Sequence, residues 1–228
     1  MTDYVVIIPT KNRYEDCLRA IRSVLAQSVP PAEVIVVNDA STDPRYEWLQ
    51  EIVNDARVVV LTSEVGSQAE TGHGFAVGTV RNRGLAYVRR AMFEGWVAFL
   101  DDDDEWMPDK MEAQFRAAGE YKNVLLFCAN AYNRSPSGLI AGYHHGDHGR
   151  VVSSRIHDVT DCLREFNPVI NSTAMIRADL ASRLGPQQAF GYGEDLDYWR
   201  RAAGYTSVLR IDEPLAFYTV NNLKEYRL

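Results

Sequence analysis

The stretch Val97-Ala98-Phe99-Leu100-Asp101-Asp102-Asp103-Asp104 joins four apolar residues directly to four carboxylates. The apolar half has the length and composition of a strand that is buried on both faces. Successive carboxylates repel one another, and ending a buried strand in them costs free energy unless a cation compensates. Hard oxygen ligands suit Mg²⁺ or Mn²⁺, which also bind phosphate oxygens. A solvated acidic loop is the alternative, and the buried strand before the run favours a metal site.

Similar apolar segments lie on either side of this strand and alternate with amphipathic helical patterns. The predicted strands are Tyr4–Ile8, Val34–Val37, Val58–Leu61, Val97–Leu100 and Val124–Ala129. The predicted helices cover residues 17–25, 43–52, 80–92 and 108–115. Short buried strands separated by helices are typical of an α/β fold with a mostly parallel central sheet flanked by helices. Ligands bind at the carboxyl ends of the strands in such sheets.

The second half of the sequence is less regular. Helical patterns are predicted near Val159–Phe166, Ala178–Leu184 and Asp195–Ala203. No linker composition separates the two halves, so we expect a single domain over residues 1–228. The stretch Ser63–Gly78 is long for a connection in a compact domain, which predicts a functional loop.

The composition excludes several classes of protein. The hydrophobic content of 46% is sufficient for a core, and the net charge of −7 argues against a broad nucleic-acid surface. Cys17, Cys128 and Cys162 form no CxxC pair, which favours a reducing compartment. There is no apolar run of about 20 residues and no basic signal region before Tyr4. We therefore expect a cytoplasmic protein without a transmembrane segment, whose only membrane contact would be peripheral.

Two further strand ends carry polar groups. The first strand runs into Pro9-Thr10-Lys11-Asn12-Arg13 and the second into Asn38-Asp39-Ala40-Ser41-Thr42. Because the carboxyl ends of parallel strands lie at one edge of the sheet, these groups should meet Asp101–Asp104. The Asp39 carboxylate can accept the N–H of a uracil ring or a ribose hydroxyl, and Arg81 can bind a base edge or a phosphate bidentately. Taken alone, each is more often a partner in a surface ion pair.

A third group of carboxylates lies late in the chain, in Gly193-Glu194-Asp195. These residues fall where a glycine-containing loop enters a predicted helix. Asp195 therefore has two interpretations, as a helix N-cap or as a general base that takes a proton from an attacking hydroxyl. The local sequence does not separate them.

Together these motifs resemble the family 2 glycosyltransferases of the GT-A fold. The resemblance extends from about Tyr4 to Tyr218 and rests on five segments in the expected order: Ile7-Ile8-Pro9-Thr10, Val37-Asn38-Asp39-Ala40-Ser41, Arg81-Asn82-Arg83-Gly84, Phe99-Leu100-Asp101-Asp102-Asp103-Asp104 and Gly193-Glu194-Asp195. It implies an inverting enzyme that moves a sugar from a nucleotide-sugar, usually a UDP-sugar, to an acceptor hydroxyl. The acceptor would be a glycan or glycoconjugate, as in polysaccharide or glycoprotein glycan biosynthesis. It also implies a nucleotide-binding half at about residues 1–105 and an acceptor-binding half at about 106–228.

The resemblance also assigns roles to residues on the nucleotide side. Pro9, Thr10 and Asp39 match the residues that hold the nucleobase, and Arg13 and Arg81 fall in the nucleotide site. In the acidic motif, which corresponds to the DXD motif, Asp103 matches the main ligand of Mn²⁺ or Mg²⁺. Asp101 or Asp102 matches the residue nearer the ribose and metal.

On the acceptor side, Asp195 matches the catalytic base and Glu194 matches an acceptor-binding carboxylate. Asn171 falls where the family lines the acceptor pocket, and Trp106 is the best aromatic candidate to stack on a sugar. Many relatives complete the metal or diphosphate site with a late His, Arg or Trp. Here the last histidine is His157, and residues 221–227 offer amides, Lys224, Tyr226 and Arg227. Two explanations are open: phosphates and water complete the metal shell, or the chain is one domain of a longer protein.

Two other functions remain as alternatives. A sugar-phosphate nucleotidyltransferase would share the sheet and the metal, but it usually has a glycine-rich loop after the first strand, and residues 9–13 contain no glycine. A non-catalytic module that binds nucleotide-sugars or glycans would have lost acidic positions, whereas Asp39, Asp103 and Asp195 are all present.

Overall fold

The computed structural model describes residues 3–68, 76–135, 137–138, 140–143, 156–188 and 193–220. Part of the predicted Ser63–Gly78 loop, residues 69–75, and the tail from 221 to 228 lie outside the described residues. The strands are β1 Tyr4–Thr10, β2 Glu33–Asn38, β3 Val58–Thr62, β4 Trp96–Phe99, β5 Glu105–Trp106, β6 Leu126–Arg134, β7 Ile140–Tyr143, β8 Ile156–Asp158, β9 Met175–Arg177 and β10 Val208–Thr219.

The helices alternate with the strands in the first half of the chain, as the sequence predicts. The α-helices are α1 Tyr14–Leu25, α2 Leu49–Val53, α3 Val77–Arg90, α4 Lys110–Glu120, α5 Ala178–Leu184 and α6 Glu194–Ala203. Short 3₁₀ helices cover Pro44–Trp48, Asp161–Arg164 and Asn171–Thr173. Within the described residues, none of the helices has the length and apolar character that a membrane span requires.

The strands form one sheet in the order β3-β2-β1-β4-β9-β6-β10-β5, with β7 beside β6 and β8 beside β10. Strands β3, β2, β1 and β4 pair in parallel. Strand β9 lies antiparallel between β4 and β6, whereas β6 and β10 pair in parallel. The predicted α/β fold is therefore observed. Its sheet is parallel in the first half and mixed in the second, because β9 enters between β4 and β6 in the opposite direction.

Strand β1 lies in the middle of the parallel half, and all its side chains are buried. Alternate residues of a strand point to opposite faces of the sheet. Tyr4, Val6 and Ile8 pack in a core with residues of α1 and α4, and Val5 and Ile7 pack in a second core with residues of α3 and α6. The sheet is thus covered on both faces, and its polar groups lie at the strand ends.

Several elements of the second half differ from the sequence prediction, among them β7, β8 and β9, which were not predicted. The helix predicted near Val159–Phe166 is only the single 3₁₀ turn Asp161–Arg164. Strand β10, the longest of the described strands, was not predicted at all. Its sequence contains Asp212-Glu213-Pro214, which looks like a loop, and the strand accommodates the proline with register shifts on both sides of Pro214.

Gly84 sets the distance between α3 and β1. A Cβ atom built on this glycine would lie 2.7 Å from Cγ2 and 3.1 Å from Cγ1 of Ile7, whose side chain is fully buried. Real Cβ atoms do not approach that closely, so a side chain here would push the helix away from the sheet.

We expect Gly84→Ala to lower the free energy of unfolding by about 1–3 kcal/mol through overpacking. The matched control is Gly119→Ala in α4, where an added Cβ meets no atom within 4 Å and the site is exposed. There alanine should stabilise by about 0.5–1 kcal/mol through helix propensity. Urea denaturation followed by circular dichroism measures both. Equal stability changes of the two variants would contradict the close packing of α3 on β1.

Candidate active site

The carboxyl ends of β1, β2 and β4 meet at one edge of the sheet, as the topology requires. Thr10 pairs with Asn38 in the ladder between β1 and β2, and the backbone N–H of Leu100 donates to the Ile7 carbonyl. The polar segments after these strands are thereby brought together. The four residues Asp101–Asp104 that follow β4 are called the acidic turn below.

Asp39, after β2, is fully buried and surrounded by donors. Its carboxylate accepts hydrogen bonds from the Ser67 backbone N–H at 2.7 Å and the Ser67 hydroxyl at 2.8 Å. Lys11 Nζ lies 3.1 Å away and Arg83 Nη1 2.9 Å away. Burial acts to raise the pKa of Asp39, but these hydrogen bonds outweigh it and leave the pKa below its usual range. The predicted contact of Asp39 with a nucleobase stays a prediction, and its partners Lys11, Ser67 and Arg83 were not foreseen.

Arg13 joins two carboxylates of the acidic turn. Its Nη1 atom lies 3.1 Å from Asp102 Oδ1 and 2.7 Å from Asp103 Oδ2. Burial raises the pKa of Asp102 to about 7, although Arg13 acts in the opposite direction. In the folded chain, the positively charged guanidinium of Arg13 thus lies between the carboxylates of Asp102 and Asp103. Thr10, next to them, is buried and shares a hydrogen bond of 2.7 Å with the Tyr46 hydroxyl.

Asp103 also borders a polar cavity of about 440 Å³. The cavity is lined on its other sides by Arg19 and Arg134 and by the segment Ser135–Gly138, of which residues 135, 137 and 138 are described. The Asp103 side chain is about one third exposed, so its carboxylate is accessible to a ligand. Among the residues described, no three acidic, histidine or cysteine side chains converge on one point to hold a metal ion. Within this part of the chain, fewer than three such side chains are placed to hold a metal at Asp103.

Asp104 has a different environment from its neighbours. It is 1% exposed, and its carboxylate accepts hydrogen bonds from the Ser172 hydroxyl and from the Thr219 backbone N–H. Burial raises its pKa well above the usual value for a carboxyl. Asp104 therefore links the acidic turn to β10 and to the turn Asn171–Thr173 through these hydrogen bonds.

Arg81, from α3, lies between the acidic turn and the start of α6. Its side chain is 3% exposed, and it places Nη2 2.6 Å from Asp101 Oδ1 and Nη1 3.1 Å from Glu194 Oε1. The side-chain amide of Asn171 fits with its oxygen towards Arg81, where it accepts from Nη2 and Nε at 3.1 and 3.2 Å. We call these four residues the Arg81 cluster.

The Arg81 cluster holds residues that the sequence assigned to separate roles. Burial acts to lower the pKa of Arg81, but Asp101, Glu194 and Asp195 outweigh it and raise that pKa. The guanidinium thus remains charged and its donors are directed at the protein's own carboxylates. The predicted contacts of Arg81 and Asp101 with a nucleotide, and of Glu194 and Asn171 with an acceptor, stay predictions.

Gly78 makes room for Glu194. A Cβ atom at position 78 would lie 2.9 Å from Cγ of Glu194 and 2.9 Å from the Gln188 carbonyl oxygen. Gly78 therefore allows α3 to lie close to the start of α6, just as Gly84 allows it to lie close to β1.

Asp195 lies in the first turn of α6, where a negative charge interacts favourably with the helix dipole. Its Oδ1 accepts from the Leu196 backbone N–H and its Oδ2 accepts from Asn167 Nδ2, both at 2.8 Å. The N-cap of α6 is Gly193, so the N-cap interpretation of Asp195 is wrong. The base interpretation stays a prediction. The contact with Asn167 was not predicted, because the two residues are 28 positions apart and no local pattern links them.

Trp106 is buried rather than open to a ligand. It is 3% exposed, its indole N–H donates to the Ser172 carbonyl at 2.6 Å, and Lys110 Nζ lies 3.8 Å from the ring centroid. This arrangement does not support the predicted stacking on a sugar. It makes Trp106 a support for the turn Asn171–Thr173.

The sheet order and the acidic turn at the end of β4 define a GT-A-like α/β fold. The crystal structure of TarS residues 1–349 from S. aureus in complex with UDP resembles the chain with a TM-score of 0.67 and 18% identity. The match covers 98% of this chain and 62% of that one. At this identity the likeness concerns the fold.

The model of "Glycosyl transferase family 2" matches residues 5–181, so the chain belongs to this family. The family and fold predicted from the sequence are thereby confirmed. Two curated relatives are a UDP-Glc:alpha-D-GlcNAc-diphosphoundecaprenol beta-1,3-glucosyltransferase, WfgD, from Escherichia coli and the succinoglycan biosynthesis protein ExoW from Rhizobium meliloti. WfgD is 31% identical over 62% of this chain and 51% of its own length, and ExoW is 32% identical over 64% and 41%. The matches cover between about a sixth and a half of the length of the curated relatives compared.

We expect Arg81→Met to lower the free energy of unfolding by about 3–5 kcal/mol, because it leaves Asp101 and Glu194 without their buried partner. The control is Arg164→Met, which removes an ion pair with Asp161 whose side chains are 83% and 90% exposed. That loss should stay within about 0.5 kcal/mol. Chemical denaturation at neutral pH measures both variants. A loss below about 1 kcal/mol for Arg81→Met would show that the cluster contributes little to stability.

Proposed function

We propose that this chain catalyses the inverting transfer of a sugar from a nucleotide-sugar to a hydroxyl of a carbohydrate-containing acceptor. The observation that carries the proposal is the Arg81 cluster. One guanidinium contacts both Asp101, in the acidic turn, and Glu194, the residue before Asp195. The acidic turn therefore lies close to the first turn of α6, which contains Asp195, the residue proposed as the base.

A UDP-sugar is the proposed donor. The name of WfgD specifies UDP-Glc, and the TarS structure contains UDP. Pro9, Thr10 and Asp39 would receive the nucleobase and ribose at the ends of β1 and β2, and Arg13, Asp101 and Asp102 would lie near the ribose and phosphates. Lys11 and Arg83 both contact the Asp39 carboxylate. One of them would have to move away before a nucleobase could bind to it.

A divalent cation, Mn²⁺ or Mg²⁺, is proposed at Asp103. Carboxylate oxygens have the chemistry that these ions prefer, and Asp102 and Asp103 already share one cationic group, Arg13 Nη1. When bound, the metal would neutralise charge on the leaving nucleoside diphosphate. Asp103 would hold it, and Arg13 would be released to the phosphates.

Asp195 is the proposed general base. Its carboxylate is partly exposed and carries one donor on each oxygen. Each oxygen has a second lone pair that can accept the proton of an acceptor hydroxyl. As that proton leaves, the hydroxyl oxygen attacks the anomeric carbon on the face opposite the diphosphate. The bond from that carbon to the diphosphate oxygen breaks, the nucleoside diphosphate departs, and the configuration inverts.

We expect Asp195→Asn to reduce kcat by about 10²–10⁴-fold, the usual contribution of a positioned base, while donor affinity is unchanged. Asp197→Asn is the matched control, since it makes the same change in the same helix at a residue paired with Arg201 at 2.9 Å. Release of nucleoside diphosphate is measured with UDP-, GDP- and dTDP-sugars, Mn²⁺ and a panel of acceptors. A rate for Asp195→Asn equal to that of Asp197→Asn would reject Asp195 as the base.

This screen, together with an assay on nucleoside triphosphates and sugar phosphates, tests the function itself. Pyrophosphate release from a nucleoside triphosphate and a sugar phosphate would identify a nucleotidyltransferase instead. Donor binding without transfer to any acceptor would identify a binding module.

We expect Asp103→Ala to abolish the increase in affinity for UDP that Mn²⁺ produces in the wild-type chain, because it removes the proposed metal ligand. Isothermal titration calorimetry with and without Mn²⁺ measures the effect. Asp109→Ala, an exposed aspartate just beyond the acidic turn, is the control. If the metal dependence is the same in Asp103→Ala and the wild type, Asp103 does not bind the metal.

A further inference from the structure

Asn167 contacts the carboxylate of Asp195 from a separate segment of the chain. Its Nδ2 atom donates to Asp195 Oδ2 at 2.8 Å. The other carboxylate oxygen, Oδ1, accepts from the backbone N–H of Leu196 at the same distance. The two donors together fix the plane of the carboxylate, and one of them is a side chain that can be changed without altering α6.

The orientation of the Asn167 amide is fixed by a second hydrogen bond. The backbone N–H of Val169 donates to Asn167 Oδ1 at 3.1 Å. Because the amide oxygen is occupied by this N–H, the amide nitrogen must face Asp195. The side chain thus presents a donor to the carboxylate, and this assignment is independent of the contact with Asp195.

The segment that carries Asn167 is held on both sides. Leu163 before it and Val169 and Ile170 after it are buried, each less than 5% exposed. Arg200, on the same helix as Asp195, donates from Nε to the Leu163 carbonyl at 2.7 Å. The distance between Asn167 and α6 is therefore set by contacts outside the pair itself.

We propose that Asn167 is a positioning residue for Asp195, a role that rests on the proposed function. Its donor holds the carboxylate in one rotamer, so that the base is already positioned when the acceptor hydroxyl arrives. Each carboxylate oxygen accepts more than one hydrogen bond, so Oδ2 keeps a free lone pair for the acceptor hydroxyl. Among the described residues, Arg81 interacts electrostatically with this carboxylate, and Glu194 precedes it in the chain.

Two substitutions separate this role from support of the loop. Asn167→Asp keeps the shape and the oxygen that accepts from Val169, but replaces the donor to Asp195 with a second carboxylate. Asn167→Ala removes both contacts. If Asn167 positions the base, both variants lose about 10- to 100-fold in kcat, a part of the contribution of the base itself. The KM for the donor and the affinity for UDP stay unchanged.

A role limited to the loop gives a different pattern. Asn167→Asp would then have wild-type kcat and stability, and only Asn167→Ala would be impaired, with a lower melting temperature. That result overturns the proposal. Wild-type kcat in both variants also overturns the proposal for Asn167. In either case, the proposed function still stands as long as the wild-type chain transfers the sugar.

A measurement without turnover completes the test. At a fixed neutral pH, the carboxyl-carbon NMR resonance of Asp195 should shift in both variants relative to the wild type, since the donor to its Oδ2 is gone. An unchanged resonance overturns the proposal even if the chain transfers no sugar under the conditions used. Failure of wild-type transfer together with a shifted resonance would count against the proposed function while the contact between Asn167 and Asp195 stands.

Discussion

A single buried guanidinium governs the arrangement of this site. Arg81 is nearly inaccessible to water, and a charge in that position is tolerated only where carboxylates surround it. Asp101 and Glu194 provide them, one from the turn after β4 and the other from the first residue of α6, 113 positions from Arg81. The parallel half of the sheet and the helix of the second half therefore cannot separate without leaving an unpaired charge.

The fold was predictable from the sequence where local pattern and burial agree. Strand β1 is apolar throughout and lies in the centre of a parallel sheet, so its pattern has one interpretation. Strand β10 was not predicted because Asp212-Glu213-Pro214 interrupts its apolar pattern. It is a strand only because it pairs with β6 on one side and with β8 and β5 on the other. The antiparallel entry of β9 has the same origin. A strand of three residues is too short to show a period, and its direction is decided by tertiary packing.

The candidate site was predictable as a set of positions but not as a set of contacts. The topology rule placed Thr10, Asp39 and the acidic turn at one edge because it depends only on strand direction. Partners such as Ser67 and Asn167 come from loops whose path no local pattern records. Trp106 shows the limit most clearly. An aromatic residue beside an acidic motif suggests a binding surface, whereas burial under Lys110 and a hydrogen bond to Ser172 make it part of the frame.

Helix α3 carries a glycine at each of its two closest contacts, Gly84 against the sheet and Gly78 against Glu194. One helix thus sets its own distance from both the sheet and the start of α6. In related sequences a larger residue at the position of Gly78 would have to displace the backbone carbonyl of Gln188 as well as the Glu194 side chain, so glycine should persist there wherever these two helices pack as they do here. The evolutionary record of this single position would then register how closely the two halves of the chain approach each other.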